Sequence, residues 1–339
     1  MKLSALILGL AICLCGGNAL ARDAGIRFIK TRGMIRCGTD LSSRAFAYKD
    51  KDGFWHGFDA DLCRAFAAAT LGDADKFEMI HVEGTNVSKA LATNKIDIMF
   101  GNTPATARQE ILSQATPAEV IYYDKQMFLA KNKADATSME DYRGATVCAV
   151  SGSDDLFNVM AFSDKYNLNL KTILFAGPQR AKEAFLLKRC DLLTGNERYL
   201  RGIKQALLAN SPDISLLPEI LTIRPIYAQV QKENNSWRIT AKWIINALTL
   251  AEAQEITSKN VDIFIGLKDS STKNLLGADP QLWQAFQLSS DWVKKALKTT
   301  GNYGEIYERN FGAGTEFETE RGANRLIENG GLIKSQLFL

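Results

Sequence analysis

The alternation of strand and helix signals predicts an α/β chain of two lobes joined by a two-strand hinge. Three observations carry this expectation. Strand and helix signals alternate through residues 31–97, and the same alternation returns through residues 143–193. Two extended runs, 120–130 and 221–230, lie outside both repeats and are long enough to cross from one lobe to the other. Repeated strand–helix alternation builds largely parallel strands covered by helices.

In the first half, 35–37 and 96–100 read as strands, and a middle strand ends at His81. Helical spacing in 59–70 puts Leu62, Phe66 and Ala69 on one side, with Asp59 and Asp61 near the positive end of the helix dipole. A shorter helix follows at 87–93. The second half repeats the order with strands at 146–150, near 172–175 and at 190–193, and a helix at 153–165. Between the halves, 120–130 is rich in Tyr and Phe, whereas 221–230 is interrupted by Pro225. A chain that crosses out on one run and returns on the other assigns 22–124 plus 225–339 to lobe one and 125–224 to lobe two. The C-terminal third reads as helical. Residues 237–254 carry Ile239, Trp243, Ala247 and Leu250, and 280–298 carry Trp283, Phe286 and Trp292, stripes expected to face a core.

Composition sets the class. The chain has 339 residues, 46% hydrophobic and 23% charged, which suits a soluble globular protein of two medium domains. Lys and Arg (41) nearly balance Asp and Glu (38), for a net charge of +3, so nucleic acid is not an expected partner. Lys2 precedes an apolar stretch from Leu3 to Cys15, and Ala19-Leu20-Ala21 supplies the small-x-small pattern of a signal-peptidase site. That stretch is short of the about 20 residues a spanning helix needs. Residues 1–21 are expected to be a cleaved signal peptide, with an uncleaved anchor as the alternative. Bulky Ile12 and Leu14 before Cys13 and Cys15 argue against lipoprotein processing.

Of six cysteines, four remain beyond the leader: Cys37, Cys63, Cys148 and Cys190. An even number in an exported chain suggests disulfides, with three possible connectivities, or else four buried thiols. Spacing favours Cys37 with Cys63 and Cys148 with Cys190, each pair within one lobe. No CxxC pair occurs, and His56 and His81 are the only histidines, so no metal site and no cofactor is expected.

No residue set points to catalysis. Ser151-Gly152-Ser153 is not a nucleophile elbow, and neither a P-loop nor a glycine-rich dinucleotide turn is present. Adjacent Asp154 and Asp155 would point about 100° apart on a helix and do not make an acid/base pair. A binding site is better supported. Strand, then Val150-Ser151-Gly152-Ser153, then helix is an anion seat in which free N–H groups and the Ser153 hydroxyl receive a carboxylate, although Ser before a helix also serves as a plain cap. Arg108 follows a strand ending near Phe100 and, unless it is an ordinary surface arginine, is placed to hold a carboxylate bidentately.

These stretches resemble the family 3 (polar amino-acid) solute-binding proteins of ABC importers, most closely the general L-amino-acid-binding type. The matching segments are Gly57-Phe58-Asp59-Ala60-Asp61-Leu62-Cys63, Leu71-Gly72-Asp73, Ile96-Asp97, Tyr122-Tyr123-Asp124-Lys125-Gln126 and Arg189-Cys190-Asp191. The most specific is Gly301-Asn302-Tyr303-Gly304-Glu305-Ile306-Tyr307-Glu308-Arg309-Asn310. The resemblance spans nearly all of the mature chain, the four cysteines included. It implies a type II periplasmic-binding-protein fold that closes over one ligand, with Phe46, Asn102, Thr103, Arg108, Ser151, Ser153, Asp154 and Asn196 at the ligand.

The departures concern the ligand clamps. Pro104 and Ala105 stand where the family has a threonine-rich T-x-T segment before the arginine. Gly152-Ser153-Asp154 replaces a G-T-T helix start, Asn196 replaces the aspartate that receives an ammonium, and an upstream arginine aligns with Val87. Asn accepts a hydrogen bond but cannot neutralise an ammonium. Losing a charged hydrogen bond of roughly 1.5–3 kcal/mol weakens binding about tenfold to a hundredfold. The chain is therefore expected to be a monomeric periplasmic protein that delivers an amino acid or related small polar ligand to an ABC permease in the inner membrane, with an altered pocket. The alternatives are a sensor or accessory module without transport, and a dehydratase-like enzyme using Asp154 or Glu197.

Overall fold

The computed structural model describes residues 24–338 except 42, 84–85, 102–106, 132–137, 208–212 and 265–269. The expected signal peptide, Asn102 and Thr103 lie outside the described residues. The strands are β1 (Ile35–Thr39), β2 (Tyr48–Lys49), β3 (Trp55–His56), β4 (Phe77–His81), β5 (Ile98–Met99), β6 (Ala115–Lys131), β7 (Thr146–Val150), β8 (Lys171–Phe175), β9 (Leu192–Asn196), β10 (Ile214–Leu216) and β11 (Thr222–Gln231).

Among the described residues one nine-stranded sheet runs β4-β1-β5-β11-β6-β9-β7-β8, with β10 also on β6. The outer strands pair in parallel, β4 and β5 on β1 and β8 and β9 on β7, as strand–helix alternation dictates. The two crossing runs form the antiparallel pair β6–β11 at the centre, whose register slips at Ile226/Tyr227 and again at Ala228/Gln229. Two α/β lobes thus hang from a two-strand hinge.

Period-two alternation on β6 feeds two faces of the second lobe. Met127 and Leu129 join Cys148, Phe185, Leu193 and Leu200 on one side. Phe128 and Ala130 join Val147, Val159 and Leu192 on the other. The first lobe has a larger core, in which Phe58, Phe66, Tyr122, Ile226, Trp237, Leu248 and Tyr307 gather. The disulfides Cys37–Cys63 and Cys148–Cys190 are formed as the spacing favours, one beside each body of core. No helix among the described residues is long and apolar enough to cross a membrane.

Two expectations need correction. Residues 280–298 are not one helix. Pro280–Ala285 and Trp292–Thr300 are separate helices, and Gln287 between them has a left-handed φ of 56°. Trp292 and Phe286 still reach the core and Trp283 packs at its edge. In the helix Asn235–Ala253 the buried face runs through Trp237, Ala241, Ile244, Leu248 and Ala251, which leaves Ile239 exposed.

Candidate functional site

In an open α/β sheet, loops after the carboxyl ends of parallel strands carry the ligand-facing groups. Here those ends meet. Asp40 follows β1, and Glu197 and Arg198 follow β9 at the start of the helix Glu197–Leu207. Arg198 Nη2 donates to Asp40 Oδ1 at 3.2 Å and to Asp59 Oδ2 at 3.4 Å. Its guanidinium carbon lies 3.4 Å from the centre of the Phe46 ring. The helix that carries Arg198 packs through Leu200 and Ile203 in the second lobe, whereas Phe46 belongs to the first core. The contact therefore joins the lobes at the floor of the cleft, beside the hinge.

The floor is densely charged. Asp59 also accepts from Thr39 Oγ1 at 2.9 Å. Asp124, on β6, accepts the amides of Lys125 at 2.9 Å and Arg198 at 3.4 Å. Burial pushes the carboxyls of Asp59 and Asp124 up to about 7 each, against the opposing pull of Arg198. Burial alone would lower Arg198, but Asp40, Asp59 and Asp124 outweigh it and hold the guanidinium above its ordinary value. Among the described residues, Arg198 Nε and Nη1, Asp59 Oδ1, Asp124 Oδ2 and Arg224 Nε are buried at this floor without a hydrogen-bond partner. Lys125 faces Glu197 at 3.4 Å, and Arg224 on β11 meets Asp155 at 2.8 Å. Burial raises the Asp155 carboxyl, and Arg224 opposes the shift. Gln126 ties hinge to lobe, donating to Thr194 Oγ1 at 3.0 Å and accepting from Asn158 Nδ2 at 2.8 Å.

The residues expected at a ligand are distributed as follows. Phe46 is 2% exposed, packed against Phe58, Tyr122 and Phe311, and one ring face is covered by Arg198. The backbone of Arg108 lies in the helix Ala107–Leu112, but its side chain is outside the described residues. Ser151 sits in the turn after β7, its amide bonded to Phe175. Ser153 caps the helix Asp154–Lys165: its hydroxyl donates to Val150 O at 2.8 Å and accepts from Leu156 N at 3.3 Å. Asp154 is exposed on the first turn of that helix. Asn196 ends β9, and its Oδ1 accepts from Tyr199 N at 3.1 Å. Ser153 and Asn196 thus each use an oxygen on the backbone of the helix they precede.

The sequence does not single out Asp40, Arg198 or Arg224; Asp59 and Asp124 stand out only within segments that match the family, Asp59 also for its place near a helix start, and Asp155 only as a rejected acid/base partner of Asp154. One signal was available. Arg198 stands in the first turn of a helix, where a cation opposes the dipole, so an arginine there needs carboxylates from elsewhere.

Residues 35–313 match the family of bacterial extracellular solute-binding proteins, family 3. The chain is 30% identical over 333 residues, 98% of its own length and 97% of the relative's, to the general L-amino acid-binding periplasmic protein AapJ of Rhizobium johnstonii. It is 30% identical over 311 residues, 91% of this chain and 92% of the other, to the glutamate/glutamine/aspartate/asparagine-binding protein BztA of Rhodobacter capsulatus. Among solved structures it is similar to an ABC transporter/periplasmic binding protein from Brucella ovis with glutathione bound, at 31% identity and a TM-score of 0.83, covering 93% of this chain and 99% of that one. With strand ends converging on one interlobe cleft and these matches over nearly its whole length, the chain belongs to the bacterial extracellular solute-binding proteins of family 3.

Proposed function

We propose that this protein binds an amino acid or a small amino-acid-derived peptide in the periplasm and delivers it to an ABC permease of the inner membrane. The observation that carries this reading is the near-complete overlap with the glutathione-holding Brucella protein. AapJ and BztA, whose names state amino-acid binding, support the same solute class. Glutathione and amino acids share an α-amino acid end, so a site for either needs acceptors for an ammonium and donors for a carboxylate.

The bodies that close are 22–124 plus 225–339 and 125–224, acting as a monomer exported by the leader 1–21. Solute docks near Arg108, Asn102 and Thr103, and closure brings the turn Ser151–Asp154 and the end of β9 over it. The pocket is altered from the family pattern. Asn196 in place of an aspartate leaves the ammonium with weaker compensation, and the caps formed by Ser153 and Asn196 support that reading.

Calorimetric titration of the mature protein with the twenty amino acids and with reduced and oxidised glutathione tests the proposal. One or more is expected to bind with a Kd of about 1 μM or tighter. A flat response to all of them in a folded sample removes it. A second reading, an accessory module that binds without serving transport, draws on one observation: the chain's own Arg198 supplies a cation to the Asp40 and Asp59 carboxylates of the cleft floor. That reading is favoured if the protein binds solute yet a purified permease gains no ATPase activity from the loaded form.

A further inference from the structure

The floor of the cleft contains an already occupied cation site. A planar cation over an aromatic face, with anionic acceptors at its edge, is how proteins recognise a free guanidinium or alkylammonium group. Phe46, Asp40 and Asp59 supply those surroundings from the first lobe, and the cation arrives from the second lobe on Arg198. Other basic groups nearby are engaged elsewhere, Lys125 with Glu197 and Arg224 with Asp155. Withdrawing Arg198 would remove the guanidinium that bridges Asp40 and Asp59. The fit is also incomplete, because Nη2 makes both carboxylate bonds while Nε and Nη1 have no hydrogen-bond partner. A tether that lets one nitrogen reach the acids is a constraint that a free guanidinium would not share.

We propose that Phe46, Asp40 and Asp59 form a cation seat and that Arg198 is its tethered occupant, so that this residue sets the charge specificity of the cleft floor. Solutes that would place a guanidinium or alkylammonium group there are refused. Solutes that place a neutral or carboxylate group beside Arg198 are accepted. The inference deepens the solute-binding reading and rests on it only for what it says about solutes. The seat itself can be tested without knowing the solute.

The test uses the mature, disulfide-bonded chain and ethylguanidinium, which restores the atoms removed by Arg198→Ala. Melting temperature is followed against ethylguanidinium at low millimolar concentration, with equal sodium chloride as the control. Arg198→Ala is expected to melt below wild type and to be raised saturably by the probe, while wild type does not respond. Adding Asp40→Asn to Arg198→Ala is expected to weaken that response about tenfold or more. A folded Arg198→Ala protein that answers ethylguanidinium no better than salt overturns the proposal, as does an equal response from wild type. Should Arg198→Ala not fold, Asp40→Asn alone examines the seat in an otherwise native chain. Amide exchange at the start of the helix Glu197–Leu207 is expected to quicken, and unchanged exchange overturns the proposal. Solute screening separates the two readings. Rescue without any solute binding leaves the seat and removes the solute reading, whereas solute binding without rescue removes the seat alone.

Discussion

Asp124 lies on β6 with one carboxylate oxygen accepting two amides and the other buried without a hydrogen-bond partner. Burial lifts its carboxyl to about 7 from an ordinary 3.8, while Arg198 and Arg224 pull it down and Glu197 adds to the rise. Between those two values the folded protein holds a proton that the unfolded chain has released, so the contribution of Asp124 to stability falls as pH rises through that window. Urea unfolding of wild type and Asp124→Asn at about pH 5 and about pH 8 measures this directly. Wild type is expected to lose more stability over that interval than the variant, whose side chain does not titrate, and equal losses would contradict the assignment. Asp124 also marks how far single residues could be read from sequence. In the sequence it stands out only as part of Tyr122-Tyr123-Asp124-Lys125-Gln126, because nothing local distinguishes a buried carboxylate from a surface one. The partner that makes it matter, Arg198, is 74 positions away. Cysteine pairing was easier, since spacing and lobe membership limited the choices.

At the scale of elements, the strands and helices of the two repeats were legible because each carries its own periodicity. The breaks were harder. Residues 280–298 keep an aromatic stripe across two helices, so periodicity alone could not reveal the turn at Gln287. Pro225 did not prevent 221–230 from being a strand. It stands opposite Tyr123 of β6, whereas β5 meets β11 only at Gln229, so its missing N–H falls where the other edge has no strand partner among the described residues. Gly57 has a structural role that its neighbours dictate. It precedes the helix Phe58–Leu71 at a φ of 110°, and a Cβ there would lie 2.4 Å from the Phe46 carbonyl. Gly57→Ala is expected to destabilise by about 3 kcal/mol or more, with φ strain and the collision acting together. Equilibrium urea unfolding is the measurement, and a loss below about 1 kcal/mol would mean that the loop 45–47 simply yields.

For the molecule as a whole, the division of the core makes a distinction that spectroscopy can see. All five tryptophans (Trp55, Trp237, Trp243, Trp283 and Trp292) lie outside 125–224. Cys148–Cys190 closes a loop of 42 residues beside the second core, and a cross-link of that span contributes about 4 kcal/mol in the chain-entropy account. Replacing both cysteines by serine is expected to move the far-ultraviolet circular dichroism transition to lower denaturant more than the tryptophan fluorescence transition. Coincident shifts would mean that the two bodies unfold as one. The join between those bodies has a mechanical meaning. β6 runs unbroken from one to the other while paired with β11 from Ala115 to Gln126, and the two slips of register concentrate give at Ile226/Tyr227 and Ala228/Gln229. Such a pivot behaves as a torsion bar rather than a loose string. Under the proposed closure its restoring torque would grow with the angle of swing, so the same elasticity that limits how wide the jaws gape would also return them to rest after a cargo departs.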